Sequence, residues 1–280
     1  MRITFTKMHG LGNDFIVFEA PSAAAIPSPD LLRRLADRRT GIGFDQALVL
    51  LGAAPGIDAR YRIFNADGSE VEQCGNGARC LVSLLARRLG RSEVRMASPG
   101  GQVTGRLRAD GLVAIDMGVP NFDPASLPFE AKREADIYPL RVGESELRIG
   151  AVSMGNPHAV LQVASVKEAA VDTLGPAVEN HPRFPQRVNV GFMEVVAPDH
   201  IRLRVYERGV GETRACGTGA CAAVAVGRRL GLLGEEVNVD VPGGRMTVQW
   251  PGPGARLWLI GPAVKVFEGT VDLAGFQAGA

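Results

Sequence analysis

Lysine is scarce in this sequence of 280 residues: Lys7, Lys132, Lys167 and Lys265 are the only four. None stands in a motif suited to a pyridoxal Schiff base, so cofactor-free chemistry is the expectation. An excess of charge of one sign is missing too. Lys+Arg of 31 against Asp+Glu of 30 leaves a formal net charge of +1, which provides neither a basic field for nucleic acid nor an acidic tail. No apolar run is long enough to cross a bilayer, so no membrane partner is expected. Met1 and Arg2 lead into an alternating, strand-like run instead of a secretory h-region, and the expected setting is the cytoplasm. Cysteines number four, and in that setting they are expected to be reduced. The spacings Cys74-x5-Cys80 and Cys216-x4-Cys221 do not suit zinc, and no His shares their loops, so no metal is expected.

What the chain does have is one stretch and its echo. Residues 73–80 read QCGNGARC and run into LVSLLARRLG; residues 215–221 read ACGTGAC and run into AAVAVGRRLG. Each copy gives a cysteine, then Gly-x-Gly, then an apolar run of helical period, then Arg-Arg-Leu-Gly. The pattern predicts two helices, with Cys74 and Cys216 at their mouths and Gly90 and Gly231 just past their ends. Gly75, Gly77, Gly217 and Gly219 would let backbone N–H groups come close to a ligand. A helix N-terminus attracts anions and lowers a thiol pKa, so the expectation is two activated thiols and two carboxylate cradles. Cys80 and Cys221 fall inside the apolar runs and read as core residues.

The rest of the chain repeats in the same register. Strands are expected at 3–5, 15–18, 46–50 and 60–64, with a helix over 29–39. The turn Ser98-Pro99-Gly100-Gly101 follows the first cysteine helix. The second half offers strands at 147–152, 190–196 and 201–206 and a helix over 166–174. Asn156 and Asn13 are 143 residues apart, as are Asn189 and Gln46, Pro242 and Pro99, and Gly261 and Gly118; Glu207 and Asn65, like Cys216 and Cys74, are 142 apart. Six offsets in one register indicate an internal duplication. The expected fold class is α/β (α+β): two pseudo-symmetric duplicated domains, each a mostly antiparallel sheet or barrel wrapped around a central helix. The expected domains are 1–118, with a return segment 264–280 that adds a strand to the first half, and 119–263.

Duplication suggests chemistry. Inverting a stereocentre takes a proton from one face and delivers another to the opposite face, and two acid/base groups do this directly. Two copies related by an approximate twofold axis would bring one thiol to each side of a ligand. Helix N-termini aimed at a substrate carboxylate would stabilise the charge that develops when a proton leaves the α carbon.

The stretches MHGLGNDF (8–15), FNADGSEVEQCGNGARC (64–80), GNPHAV (155–160), QRVNVGF (186–192) and YERGVGETRACGTGAC (206–221) resemble diaminopimelate epimerase, and the resemblance spans nearly the whole chain. It implies a cofactor-independent isomerase that interconverts LL- and meso-2,6-diaminopimelate, for lysine and peptidoglycan synthesis, and that forms a homodimer. By motif, Cys74 and Cys216 match the acid/base pair. His158 and Glu207 match groups that assist the thiols. Gly75, Asn76, Gly217 and Thr218 match the donors around the reacting carboxylate. Asn13, Gln46, Asn65, Asn156, Asn189, Glu207 and Arg208 match residues that line the substrate pocket. Amides can meet both the ammonium and the carboxylate of the far end, and Arg208 can take that carboxylate bidentately. Asp14, Asp45 and Asp67 read as turn and cap residues. One departure stands out: Phe44, in GIGFDQ, occupies a position where alanine is usual in the family.

Two other readings compete. Another amino-acid racemase on the same scaffold, proline racemase-like, would keep the thiols and lose the distal set of Asn65, Asn156, Asn189 and Arg208. A non-catalytic amino-acid-binding or metal-storage protein would not need both thiols at helix mouths.

Overall fold

The computed structural model describes residues 2–72 and 74–277. Gln73 of the first cysteine motif and the last three residues of the return segment lie outside them. The chain divides into two units, residues 1–115 with 261–280, and residues 116–260.

The first unit opens with β1 (Arg2–Gly10) and β2 (Asn13–Glu19), then α1 (Pro29–Ala36), β3 (Gln46–Leu51), β4 (Ala59–Asn65) and the short β5 (Glu70–Val71). It continues through α2 (Gly75–Leu89), β6 (Glu93–Ser98), β7 (Gly101–Leu107) and β8 (Val113–Asp116). β1 pairs antiparallel with β2, β2 parallel with β3, and β3 antiparallel with β4. Beyond β4 lie β6 in parallel and then β7 and β8 antiparallel, while β5 folds back on β4. The central strands are apolar without alternation, Phe15-Ile16-Val17-Phe18 and Ala47-Leu48-Val49-Leu50, because both of their faces are covered. Ile16, Phe18, Ala47 and Val49 join Leu31, Leu32 and Leu35 of α1 in one cluster. Phe15 and Leu48 face the other way, onto the first turn of α2, where a Cβ on Gly77 would come within 3.0 Å of Leu48.

The second unit repeats this order. Its elements are β9 (Tyr138–Val142), β10 (Ser145–Ser153), β11 (Pro157–Gln162), α3 (Val171–Glu179), β12 (Asn189–Ala197) and β13 (His200–Glu207). They continue with β14 (Gly211–Thr213), α4 (Gly217–Arg229), β15 (Glu236–Val241), β16 (Gly244–Gln249) and β17 (Trp258–Gly261). β10 and β11 are antiparallel, β11 and β12 parallel, β12 and β13 antiparallel, β13 and β15 parallel, and β15, β16 and β17 antiparallel. α4 is apolar on nearly every side, with Ala220 to Val226 all buried. In this unit β9 flanks β10. In the first unit the matching place beside β1 is taken by β18 (Val264–Asp272), which returns from the end of the chain. A last short helix, α5 (Ala274–Gln277), follows it.

The helix ends show how local chemistry sets the elements. Cys74 and Cys216 are extended N-caps, and each sulfur accepts from the backbone N–H three residues on, Gly77 N and Gly219 N, both at 3.4 Å. α2 stops at Gly90 and α4 just before Gly231, both at positive φ. α1 is capped by Ser28, whose Oγ accepts from Leu31 N, and ends at Ala36, three residues short of the expected 39. There the Asp37 carboxylate takes the N–H groups of Arg39 and Thr40, which would otherwise continue the helix.

The expectation of a helix over 166–174 needs correction: α3 runs from Val171 to Glu179. Tertiary bonds hold the segment before it out of helical form. Glu194 accepts from Val166 N at 2.9 Å, and Arg204 donates to the carbonyls of Val166 and Ala169. The helix then continues through Gly175-Pro176 despite the missing donor. Gly175 belongs there because a Cβ would come within 2.6 Å of the Tyr206 ring.

Phe44 is 1% exposed and packs into the cluster under α1. Phe44→Ala, the residue usual in the family, should therefore leave a cavity and cost about 3–5 kcal/mol. Urea unfolding of the two proteins checks this; equal midpoints would mean that the core closes around the smaller residue.

Candidate active site

In the first unit, Asn13 begins β2 and reaches toward the mouth of α2. Its Nδ2 donates to Asp45 Oδ2 at 3.0 Å. Its Oδ1 accepts from Asn76 Nδ2 at 3.3 Å and from the Cys74 thiol at 3.8 Å. Gly75 and Asn76 occupy the first turn of α2, where helix geometry provides no internal acceptor for the backbone N–H groups. Gln46 and Asn65 stand opposite each other on β3 and β4, and Gln46 Nε2 donates to Asn65 Oδ1 at 2.9 Å. Asn65 Nδ2 in turn donates to Ser69 Oγ. The other end of the Gln46 amide, Oε1, is buried and meets no donor.

In the second unit, Cys216 caps α4 and is buried. Its thiol donates to Glu207 Oε2 at 3.1 Å, and Thr213 Oγ1 donates to Glu207 Oε1 at 2.5 Å. Thr218 Oγ1 lies 3.6 Å from the sulfur and accepts from Asn156 Nδ2 at 3.3 Å. Asn156 Oδ1 meets His158 Nε2 at 3.0 Å. Burial, helped by the charge of Arg208, pushes the His158 pKa down to about 3. The ring is thus neutral at ordinary pH, and Nε2 must carry the proton it shares with Asn156. Asn189 is buried and spends both ends of its amide on backbone: Nδ2 donates to Pro157 O at 2.9 Å, and Oδ1 accepts from Arg208 N at 3.0 Å. The Arg208 guanidinium donates to Gln186 O at 3.1 Å.

Within each unit, then, the residues singled out in the sequence come together: Asn13, Cys74 and Asn76 in one, with Gln46 and Asn65 as a neighbouring pair, and Asn156, His158, Asn189, Glu207, Arg208, Cys216 and Thr218 in the other. Three expectations change. Gly77 N and Gly219 N do not wait for a ligand; they cap their own cysteine sulfurs. The Cys216 thiol is not lowered in pKa. Burial first, and the facing Glu207 carboxylate second, raise it well above its ordinary value and outweigh the bond from Gly219 N. Asp14 and Asp45 do more than turn the chain. Asp14 pairs with Lys7 at 2.5 Å and bidentately with Arg38, and Arg38 also reaches Asp45 at 2.7 Å. Although burial alone would raise it, the two cations hold the Asp14 carboxyl well below the usual carboxylate range. Asp67 is a turn residue as expected, accepting from Ser69 N and Oγ.

One buried group was not anticipated at all. Glu179, the last residue of α3, is 4% exposed. Its carboxylate accepts from Gly209 N at 2.6 Å and pairs with Arg187 at 3.6 Å, so it clamps the turn that carries Arg208. The available signal was an acidic residue closing the run Leu174-Gly175-Pro176-Ala177-Val178. Among the described residues, no group of three His, Cys, Asp or Glu is arranged to hold a metal ion, and no helix is long and apolar enough to cross a membrane.

The family model for diaminopimelate epimerase matches residues 5–122 and 150–266, which takes in both cysteine motifs. Among solved structures, a hydroxyproline epimerase from Agrobacterium vitis is similar at 17% identity and TM-score 0.65, over 96% of this chain and 92% of that one. A probable proline racemase from Agrobacterium radiobacter K84 aligns at 19% identity and TM-score 0.67, over 99% and 94%. A phenazine biosynthesis protein of the PhzF family from Bacillus anthracis aligns at 17% identity and TM-score 0.67, over 97% and 99%. At these identities the likeness is one of fold: the duplicated α/β architecture is common to all of them.

The depressed His158 pKa makes a testable statement about stability. The folded protein keeps this ring neutral, whereas the unfolded chain protonates it near its ordinary pKa of 6.5. The neutral ring's contribution is fully present above pH 6.5 and is lost progressively as pH falls toward about 3. Thermal midpoints of the wild type and His158→Gln should therefore converge, or cross, between pH 7 and pH 4. Parallel curves would show that His158 takes up its proton as readily in the folded protein as in the unfolded chain.

Proposed function

We propose that this chain, which belongs to the diaminopimelate epimerase family, interconverts LL- and meso-2,6-diaminopimelate without a cofactor. That it is an isomerase of the epimerase class follows from the family; the substrate and the roles of individual residues are our reading. The observation that carries it is the cysteine sulfur capping a sheet-covered helix in each half of a duplicated chain. A stereocentre inverts when a proton leaves one face and another arrives at the opposite face, and two thiols supply one group for each.

In the proposed reaction the C–H bond at the α carbon breaks, and its proton passes to one sulfur held as thiolate. The electron pair moves into the α-carboxylate. The other thiol then gives its proton to the opposite face, so one thiol and one thiolate have exchanged roles. The first turns of α2 and α4, at Gly75 and Asn76 and at Gly217 and Thr218, offer N–H donors to the carboxylate as its charge grows. Glu207 accepts from the Cys216 thiol and can draw off its proton to give the thiolate that the raised pKa otherwise opposes.

The far end of the substrate carries an ammonium and a carboxylate. Gln46 Oε1, a buried acceptor that meets no donor, suits the ammonium. The planar fork of Arg208 suits the carboxylate. Asn156 and His158 serve to orient Thr218, and Asn189 to hold the backbone at Arg208. A cytoplasmic setting and a homodimer complete the proposal. The dimer has support in β18, where Val264, Val266 and Phe267 are exposed.

Cys74→Ala and Cys216→Ala should each lose about 10²–10⁴-fold in interconversion rate while remaining folded, as followed by chromatographic separation of the stereoisomers. Ordinary turnover by either variant would remove that thiol from the mechanism. Arg208→Lys should lose about tenfold or more in kcat/KM for diaminopimelate, because a point charge cannot replace the fork. If its kinetics matched the wild type, or if proline and hydroxyproline were the better substrates of both proteins, the assignment of the distal site would fail.

A further inference from the structure

A cation and an anion, both outside the proposed reacting set, close the two ends of a single hydrogen-bond chain in the first unit. At one end Arg79, in the first turns of α2, is fully buried; its Nη2 donates to Asn76 Oδ1 at 2.6 Å, and its Nε to Pro262 O. Asn76 Nδ2 donates to Asn13 Oδ1 at 3.3 Å. Asn13 Nδ2 donates to Asp45 Oδ2 at 3.0 Å, and Asp45 Oδ1 is held by Arg38 Nη2 at 2.7 Å.

The ends dictate the middle. A guanidinium can only donate, so Asn76 must turn its oxygen to Arg79 and its NH2 to Asn13. An ionised carboxylate can only accept, so Asn13 must turn its NH2 to Asp45. Both amides are therefore oriented, and the orientation of Asn13 decides what Cys74 meets. We propose that Arg79 and Asp45 are positioning residues that fix the two amides, so that Asn13 presents its carbonyl oxygen, not its NH2, to the Cys74 thiol. This rests on the reading of Cys74 as one of the two reacting thiols.

The consequence is a difference between the two sulfurs. In the second unit the corresponding chain starts from the neutral ring of His158, which donates to Asn156 Oδ1. Asn156 donates to Thr218 Oγ1, and the Thr218 hydroxyl proton is left to donate to Cys216 Sγ, 3.6 Å away. That chain delivers a donor to its sulfur, a thiolate-favouring contact set against burial and the Glu207 carboxylate, which together keep the Cys216 pKa raised. The chain in the first unit delivers an acceptor, at 3.8 Å from Cys74 Sγ, which favours the thiol. The carbonyl oxygen presented by Asn13 thus favours the thiol at Cys74, and the bond from Gly77 N acts the other way.

The test separates this orientation from simple charge. The titratable and charged groups around the cluster are Lys7 and His9 on β1, Asp14 on β2, Arg38 and Asp45 beyond α1, Tyr61 on β4, and Arg79 and Cys80 on α2. Asp45→Asn and Asp45→Leu remove the same charge. Asp45→Asn can still offer an oxygen to the two donors at the Oδ2 position, Asn13 Nδ2 and Asp14 N, whereas Asp45→Leu cannot. On an Asn76→Ala background, which removes the other group that orients Asn13, alkylation of Cys74 by iodoacetamide, followed against pH and read at that cysteine by peptide mass spectrometry, should have its midpoint about one pH unit lower with D45L than with D45N. That corresponds to roughly tenfold faster alkylation below the midpoint. The Asp45 side chain is 43% exposed, so its loss opens no core cavity; should D45L fail to fold, D45A makes the same comparison. On that Asn76→Ala background, superimposable profiles, or a higher midpoint without the acceptor, would overturn the proposal. The assay needs no turnover, so a shifted midpoint in a protein inactive on diaminopimelate would leave the positioning intact and refute the substrate instead.

Discussion

A sulfur atom in the place of a helix N-cap is the constraint on which the rest of the structure depends. Serine, threonine and aspartate cap helices with oxygen; Cys74 and Cys216 do so with a larger, softer acceptor, 3.4 Å from the N–H it caps. Position and reactivity are then opposed. The helix mouth favours a thiolate, but a helix covered by sheet draws its first turn out of water, and desolvation favours the thiol. At Cys216 desolvation wins, and the neighbouring Glu207 carboxylate adds to it. A buried thiol that resists ionisation is useful only with a built-in acceptor for its proton, and in the proposed reaction Glu207 is that acceptor. The surrounding polar groups follow from the need to hold this arrangement in a dry interior, where an unpaired donor or acceptor is costly.

Duplication explains why the two halves resemble each other in topology yet differ in polar detail. Both units place two parallel strand pairs at matching positions in an otherwise antiparallel order, and in both the cysteine helix follows the short strand that folds back on its neighbour. The strand that fills the place beside β1 comes from the end of the chain, whereas its counterpart β9 is local. The substitutions that matter fall on equivalent positions. Asn65 corresponds to Glu207, and Asn76 to Thr218, at the offset of 142 that also relates the cysteines. A carboxylate that faces one sulfur is an amide engaged elsewhere in the other half.

The two cysteine helices were legible in the sequence because their signals are local and occur twice: an apolar run of helical period, a cap before it and a glycine after it. Strand positions were legible from the same register. What escaped was whatever tertiary contacts decide. Residues 166–170 have helical periodicity, but bonds from Glu194 and Arg204, distant in sequence, hold them outside α3. Asp14 and Asp45 look like turn residues because spacing carries no trace of Lys7 and Arg38 converging on them. The lowered thiol pKa expected at a helix mouth failed at Cys216 because a sequence shows the helix and not the depth at which its first turn is buried. Phe44, a departure from the family pattern, belongs to the core under α1 and not to the site beside it.

The central claim is that two groups, not one, handle the proton. LL-diaminopimelate incubated with the enzyme in D2O and sampled at low conversion tests it most directly. The account predicts meso product carrying one solvent deuterium at the inverted α carbon, while recovered LL substrate carries none, because the proton removed from one face stays on its own sulfur. Product that retains the substrate's own hydrogen, or early deuterium in the unreacted LL isomer, would contradict it by showing that a single group both takes and returns the proton.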